Sequence, residues 1–282
     1  MPETVSPFFS SVNISTGLSR ASRMIGVAHH ASTPMPADRS IESSRAMPMI
    51  DLQGLRFSWD PRVAPVVAID SLHIDAGERV FLHGASGSGK STLLALLAGI
   101  VVAQVGQVRV LGTDMADLGP ADRDRFRADH TGMIFQMLNL VPYLTVLENV
   151  LLPCDFSSRR RARAEARGGS PRGEALRLLD SLGLDGRQLL ERQPAHLSVG
   201  QQQRVAAARA LIGAPEIVIA DEPTSALDAD RRDAFVDLLF RECARESTTL
   251  LLVSHDPALA PRFDRRIAFA DINATAVWST AA

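Results

Sequence analysis

The chain of 282 residues is long enough for one large domain or two small ones, and its 46% apolar content supplies a real core. Aromatic residues make up only 5%, so that core is aliphatic and alanine-rich, and a net charge of -2 argues against a general nucleic-acid binder. Cys154 and Cys243 lack CxxC spacing, which points to a reducing compartment with no disulfide and no cysteine metal site.

Residues 1–47 are rich in Ser, Pro and Ala, show no sustained periodicity and lack the apolar centre of a secretory signal. They read as a disordered N-terminal extension before an ordered domain over 48–282. Met24, Met35, Met47 and Met49 leave a downstream translation start open, which the intact mass of the native protein decides.

"MIDLQGLRFSW" from Met49 alternates like a half-buried strand, and "VVAIDSLHIDAGERVFLHG" holds two more strands around an Ala-Gly turn. The second runs into "ASGSGKSTLLALLAGI", a Gly-rich turn and a helix. The apolar run over 93–103 is too short to span a bilayer and reads as a buried core helix. "GQVRVLG" is a strand, "HTGMIFQ" a short strand ending in Gln136, and a helix starts near Thr145. The Arg-rich stretch 157–173 reads as a charged helix end and a flexible loop, a solvated face being favoured over a lipid or partner contact. "EALRLLDSLGL" is an amphipathic helix closed by Gly183.

"LSVGQQQR" opens the next helix. Ser198 followed by Gln201 at the third position forms a capping box, and Gly213 with Pro215 ends the helix. "EIVIAD" and "TTLLLVSHD" are buried strands flanking the helix "DADRRDAFVDLLFRECARE". Strands alternating with helices imply an α/β fold with a mostly parallel sheet.

"GASGSGKS" over 84–91 meets G-x-x-x-x-G-K-[ST] at every fixed position, between a strand and a helix as a phosphate loop requires. Gly84, Ala85, Ser86, Gly87, Ser88 and Gly89 turn backbone N–H groups to phosphates. Lys90 reaches the β- and γ-phosphates, Ser91 takes Mg²⁺, and Thr92 completes the loop. Asp221 and Glu222 end an apolar strand, where ligands gather in open α/β sheets. Asp221 is placed to hold Mg²⁺ through water, and Glu222 to act as general base on an attacking water. Gln136 orients water or a metal ligand, and His255 donates to the γ-phosphate. Ser198 and Gly200 mark a second anion site at a helix N-terminus. The chain has its own phosphate loop already, so this spare site makes sense if it serves the ATP of a second copy, facing head to tail.

These elements resemble, in order, those of ATP-binding cassette (ABC) ATPases over residues 49–275. "GASGSGKST" is similar to Walker A, "IVIADEP" to Walker B, "LSVGQQQR" to the signature and "SALD" to the D-loop with Asp228, while Gln136 and His255 match the Q- and H-loops. The resemblance implies a P-loop NTPase (RecA-like) core with a small antiparallel β subdomain and an α-helical subdomain over about 140–213. It implies that ATP and Mg²⁺ are bound, that Gln201 joins Ser198 and Gly200 in the signature contact, and that Gln136 joins Ser91 and Asp221 around the metal. Trp59 stacks on adenine, with Phe57 as the fallback. Val199 stands where the family usually has Gly. "GMIFQMLNLVPYLTVLENVLLP" also resembles the branch of lipoprotein-releasing and macrolide-exporter ATPases. That implies a homodimeric, transport-coupled ATPase on the cytoplasmic face of the inner membrane. Its partner would be a separate integral membrane permease of the FtsX/MacB-like kind. The alternative is a soluble ABC ATPase in DNA repair or on ribosomes. Residues 137–197 hold no long heptad run and the chain carries one cassette, which argues against it.

Overall fold

The computed structural model describes residues 48–275 except 185 and 226, so the extension expected over 1–47 lies outside the described residues. The chain runs β1 (Ile50–Phe57), β2 (Val67–Ile74), β3 (Arg79–His83), α1 (Lys90–Leu97), β4 (Val105–Val110), β5 (Thr113–Asp114), α2 (Pro120–His130) and β6 (Thr131–Ile134). It continues through α3 (Val146–Phe156), α4 (Ser158–Gly168), α5 (Pro171–Ser181), α6 (Arg187–Leu190) and α7 (Val199–Leu211). It closes with β7 (Ile217–Asp221), α8 (Ala229–Glu246), β8 (Thr249–Val253), β9 (Arg265–Ala268) and α9 (Phe269–Ile272).

Among the described residues the strands form two sheets. One is antiparallel, ordered β2-β1-β4-β5; the other is parallel, ordered β6-β7-β8-β3-β9. The α/β class, with its parallel core sheet, small antiparallel sheet and helical layer, is the one expected. Burial alternation explains the layering. Val218 and Ala220 of β7, Leu250 and Leu252 of β8, and Phe81 of β3 enter a core shared with α3, α5, α7 and α8. Ile217, Ile219, Leu251, Val253, Val80 and Leu82 enter the other core, with α1 and the antiparallel sheet. A strand apolar on both faces reads as one continuous run, which is why "IVIA" and "TLLLV" look alike in sequence. In the small sheet the register shifts between Gln53 and Arg56, at Gly54. Gly106 of β4 closes against that bulge, where a Cβ would lie 2.4 Å from the Gly54 carbonyl oxygen.

Two expectations are corrected. The apolar run 93–103 is not one helix: α1 ends at Leu97, and Gly99 takes a left-handed backbone (φ 65°) that turns the chain away. The stretch 157–173 is not a helix end and a flexible loop but α4 and the start of α5. Gly169 closes α4 in a left-handed conformation, Ser170 accepts from the Gly173 N–H, and Pro171 opens α5 at once. Its arginines are a solvated face only in part: Arg159 and Arg161 are exposed, but Arg160 is buried. Arg160 is 2% exposed and donates to the carbonyls of Ile212 (2.7 Å) and Ala210 (2.6 Å) at the end of α7. Arg159 and Arg163 reach Glu216, and Arg167 pairs with Glu246.

The parallel sheet places its carboxyl ends on one edge. Leu82 and Asp221 both pair with Val253, so the segments leaving β3, β7 and β8 emerge side by side.

Candidate functional site

A cavity of about 620 Å³ lies on that edge. The loop from β3 to α1 forms its floor, contributing Gly84, Ser86, Gly87, Gly89, Lys90, Ser91 and Thr92. Gly89 needs to be glycine: its φ is 107°, and a Cβ would stand 2.8 Å from the Val66 carbonyl oxygen. Lys90 Nζ donates to the carbonyls of Gly84 (2.9 Å) and Ala85 (2.7 Å), so the ammonium is held inside the loop's own curve. The buried Ser88 hydroxyl has no hydrogen-bond partner. Ala85 and Ser88 belong to the loop without lining the cavity.

Asp221 and Glu222 close the opposite side. Ser91 donates its hydroxyl to Asp221 Oδ2 at 3.1 Å. Burial pushes the Asp221 carboxyl up; the Ser91 hydrogen bond and the Lys90 charge oppose that, and the charge of Glu222 reinforces it. Glu222 has a left-handed backbone (φ 48°) and its N–H donates to Val253 O at 2.9 Å. That turn aims its carboxylate at His255, whose Nδ1 lies 2.9 Å from both carboxylate oxygens. The Glu222 side chain is 13% exposed and the imidazole 71% exposed. A half-buried carboxylate is thus paired with an exposed imidazole, an arrangement that can pass a proton.

Gln136 lines the same cavity, two residues beyond the end of β6 rather than at its end. The Ser91 hydroxyl, the Asp221 carboxylate and the Gln136 amide make an oxygen-rich donor set. Among the described residues no three His, Cys, Asp or Glu side chains cluster as a metal site. One carboxylate with neutral oxygens fits Mg²⁺, which takes its remaining ligands from substrate phosphates and water.

Trp59 lines the cavity mouth, 63% exposed, with its indole N–H 3.3 Å from Thr92 Oγ1. Phe57 is 5% exposed and meets Trp59 edge-on from the core, so the fallback residue does not face the cavity. Val66 lines it too, and sequence reasoning missed it; an apolar residue before a strand carries no local signal.

Ser198, Gly200, Gln201 and Asp228 are not brought into this cavity. Ser198 and Gln201 form the expected capping box, at 3.3 and 2.9 Å. Val199 is half exposed, and a Cβ on Gly200 would find only Leu227, at 3.8 Å. The other two glutamines are also engaged: Gln202 donates to Leu197 O and Gln203 to Pro223 O. Asp228 caps α8 by accepting from the Arg231 N–H.

A second cavity of about 590 Å³ opens beside the Gln136 loop. Met133, Phe135, Leu152, Pro153 and Phe156 give it an apolar floor, with Asp124, Arg125 and Arg127 along one side. Phe156, and Met137 and Tyr143 nearby in sequence, are each at least 70% exposed.

Comparison with known proteins agrees with this geometry. The ABC transporter family model matches residues 68–225. The lipoprotein-releasing system ATP-binding protein LolD 2 of Rhodospirillum rubrum is 40% identical over 227 residues, covering 80% of this chain and 95% of that protein. The macrolide export ATP-binding/permease protein MacB of Rhodopirellula baltica is 41% identical over 228 residues, covering 79% of this chain; the match spans 32% of MacB. Among solved structures, the ATP-binding cassette MJ0796, as a post-hydrolysis dimer bound to ADP and Pi, superposes with TM-score 0.68 at 34% identity. That match covers 78% of this chain and 94% of the other.

Proposed function

This chain belongs to the ABC transporter family, in the branch of the lipoprotein-releasing and macrolide-export ATP-binding proteins, and from that premise we propose how its ATPase works and what it drives. It is an ATPase, converting ATP and water to ADP and phosphate. The loop Gly84–Thr92 holds the phosphates, Lys90 meets the β- and γ-phosphates, and Trp59 stacks on the adenine. Ser91, Asp221 and Gln136 would hold Mg²⁺, which would supply charge neutralisation at the phosphates. Glu222 takes the proton of an attacking water as that water's oxygen bonds to the γ-phosphorus and the bond to the bridging oxygen breaks. His255 orients the Glu222 carboxylate and faces the γ-phosphate.

The observation that carries the larger reading is the signature mouth. Ser198 opens α7 outside the chain's own phosphate cavity, its N–H taken by Gln201 in the capping box, while the Gly200 N–H lies in the first turn, which the helix leaves unpaired, and nothing among the described residues requires position 200 to be glycine. A close approach from outside does require it. We infer a homodimer in which Ser198, Gly200 and Gln201 of each copy close on the ATP held by the other, with Asp228 at the junction. ATP binding closes the pair and hydrolysis reopens it.

The dimer drives a separate integral membrane permease of the FtsX/MacB-like kind, moving it mechanically in export rather than carrying substrate itself. Its proposed seat is peripheral, on the cytoplasmic face of the inner membrane; among the described residues no helix is long and apolar enough to cross a membrane. The apolar cavity beside Gln136, with its exposed Phe156, is the proposed seat for the permease's cytoplasmic helices. A pull-down of tagged protein from gently solubilised membranes tests this. A multi-span permease with a large extracytoplasmic domain is the expected partner. A permease lacking that domain contradicts the export type, and reproducible recovery of only soluble proteins or ribosomes favours the soluble alternative.

A further inference from the structure

The helix that opens with the signature also touches both loops that carry the proposed chemistry. Arg209, in its last turn, is 9% exposed. Its guanidinium donates from Nη2 to Leu138 O (2.6 Å) and from Nη1 to Asn139 O (2.7 Å). Both acceptors have left-handed backbones, with φ 59° at Leu138 and 46° at Asn139. Asparagine tolerates such a conformation, but for leucine it is unfavourable. Leu138 is buried in the helical core, so the strained turn is anchored on one side by packing and on the other by a charged fork. Gln136 lies two residues before that turn.

Gln203 does the equivalent on the other loop. It is 2% exposed, and its Nε2 donates to Pro223 O at 3.0 Å. Pro223 directly follows Glu222, itself left-handed. The Gln203 Oε1 is buried without a partner, so a polar side chain is kept here at a desolvation cost for the sake of one contact. A glutamine chosen only to fill the core would be replaced by leucine without that cost.

We propose that Arg209 and Gln203 are positioning residues: α7 ties the placement of the signature mouth to the Gln136 loop through Arg209, and to the Glu222 loop through Gln203. A 13-residue helix is a stiff rod of about 20 Å, so a shift at its mouth reaches both loops without an intervening hinge. A second chain closing on Ser198 thereby sets the loops that bear Gln136 and Glu222. The inference rests on the reading that Gln136 serves ATP hydrolysis.

A double-mutant cycle on the purified full chain tests it, with kcat, KM for ATP and thermal midpoint measured for each protein. Arg209→Lys keeps the buried cation and loses the fork. It is expected to lower kcat about tenfold while KM stays within about twofold. In a Gln136→Ala background the same change is expected to cost less than about twofold further, because its effect runs through that loop. Gln203→Leu, which preserves volume, is expected to lower kcat about fivefold and to add fully to Gln136→Ala. Full additivity of Arg209→Lys with Gln136→Ala, or a loss confined to KM and thermal midpoint, overturns the Arg209 assignment. Unchanged kcat in Gln203→Leu overturns the other, and decides the matter alone should Arg209→Lys fail to fold. A wild-type kcat in Gln136→Ala would remove Gln136 from the reaction, a failure of the site reading that takes the Arg209 inference with it.

Discussion

Glu222 shows how much of this site is set one residue at a time. A left-handed backbone at a non-glycine residue is rare, yet it turns the carboxylate from the sheet edge onto His255. That both are candidate functional residues was readable in sequence, since each follows a buried strand. Their direct pairing was not, because it depends on a φ angle that no residue type at 222 announces. Trp59 and Phe57 illustrate the same limit: two residues apart they would share a strand face, but β1 ends at Phe57 and the chain beyond it carries Trp59 to the cavity mouth. Val199 invites a prediction at this scale. It occupies the first turn of α7 half exposed, and its side chain neither caps the helix nor fills the core. Val199→Gly is therefore expected to change the ATPase rate less than about tenfold, by steady-state assay. A larger change in either direction would mean that the valine itself shapes the approach of the second copy.

At the scale of elements, the arginines of α4 carry the main correction. An Arg-rich run is ordinarily solvated, and nothing near it in sequence signals otherwise. The partners lie some fifty residues on, at the end of α7 and the foot of β7. Burial lowers the Arg160 pKa to about 10, with the charges of Cys154 and Glu216 opposing, and the guanidinium satisfies the carbonyls that end α7. Gly213 leaves room for the Arg160 backbone, since a Cβ there would lie 2.5 Å from the Arg160 carbonyl oxygen. Glu216 sits among His130, Arg159 and Arg163 at 3.0, 2.6 and 2.8 Å. Burial alone would push its carboxyl up; the hydrogen bonds from His130 and Arg159 and the charge of Arg163 outweigh that and hold it well below the usual carboxylate range. A carboxyl depressed on folding contributes stability that is full above its unfolded pKa of about 4.3 and fades as pH falls toward the folded value. Glu216→Gln is thus expected to lower the denaturation midpoint at pH 7 and to flatten its fall below about pH 5. An unchanged acid limb would show that this cluster does not join α4 to the sheet energetically.

For the whole molecule, the order of phosphate loop, signature, carboxylates and terminal histidine was legible because each element follows from local chemistry. The two-sheet architecture was partly so: alternation marked the strands, while the separation into an antiparallel and a parallel sheet depends on pairings over long sequence distances, such as β3 with β8. Least legible was the role of α7, whose three glutamines look alike and do three different things. One completes a cap, one holds the preceding turn, and one reaches the Glu222 loop. In the proposed dimer, the signature mouth outside its own chain's phosphate cavity makes the single chain half of a machine. The most direct test is the mass of the Glu222→Gln protein in solution, measured by light scattering with and without ATP and Mg²⁺ after ATP binding has been confirmed. A single-chain mass without nucleotide, rising to twice that value with ATP, is the predicted result. A mass that stays at one chain with ATP bound at saturation would contradict the shared-site account.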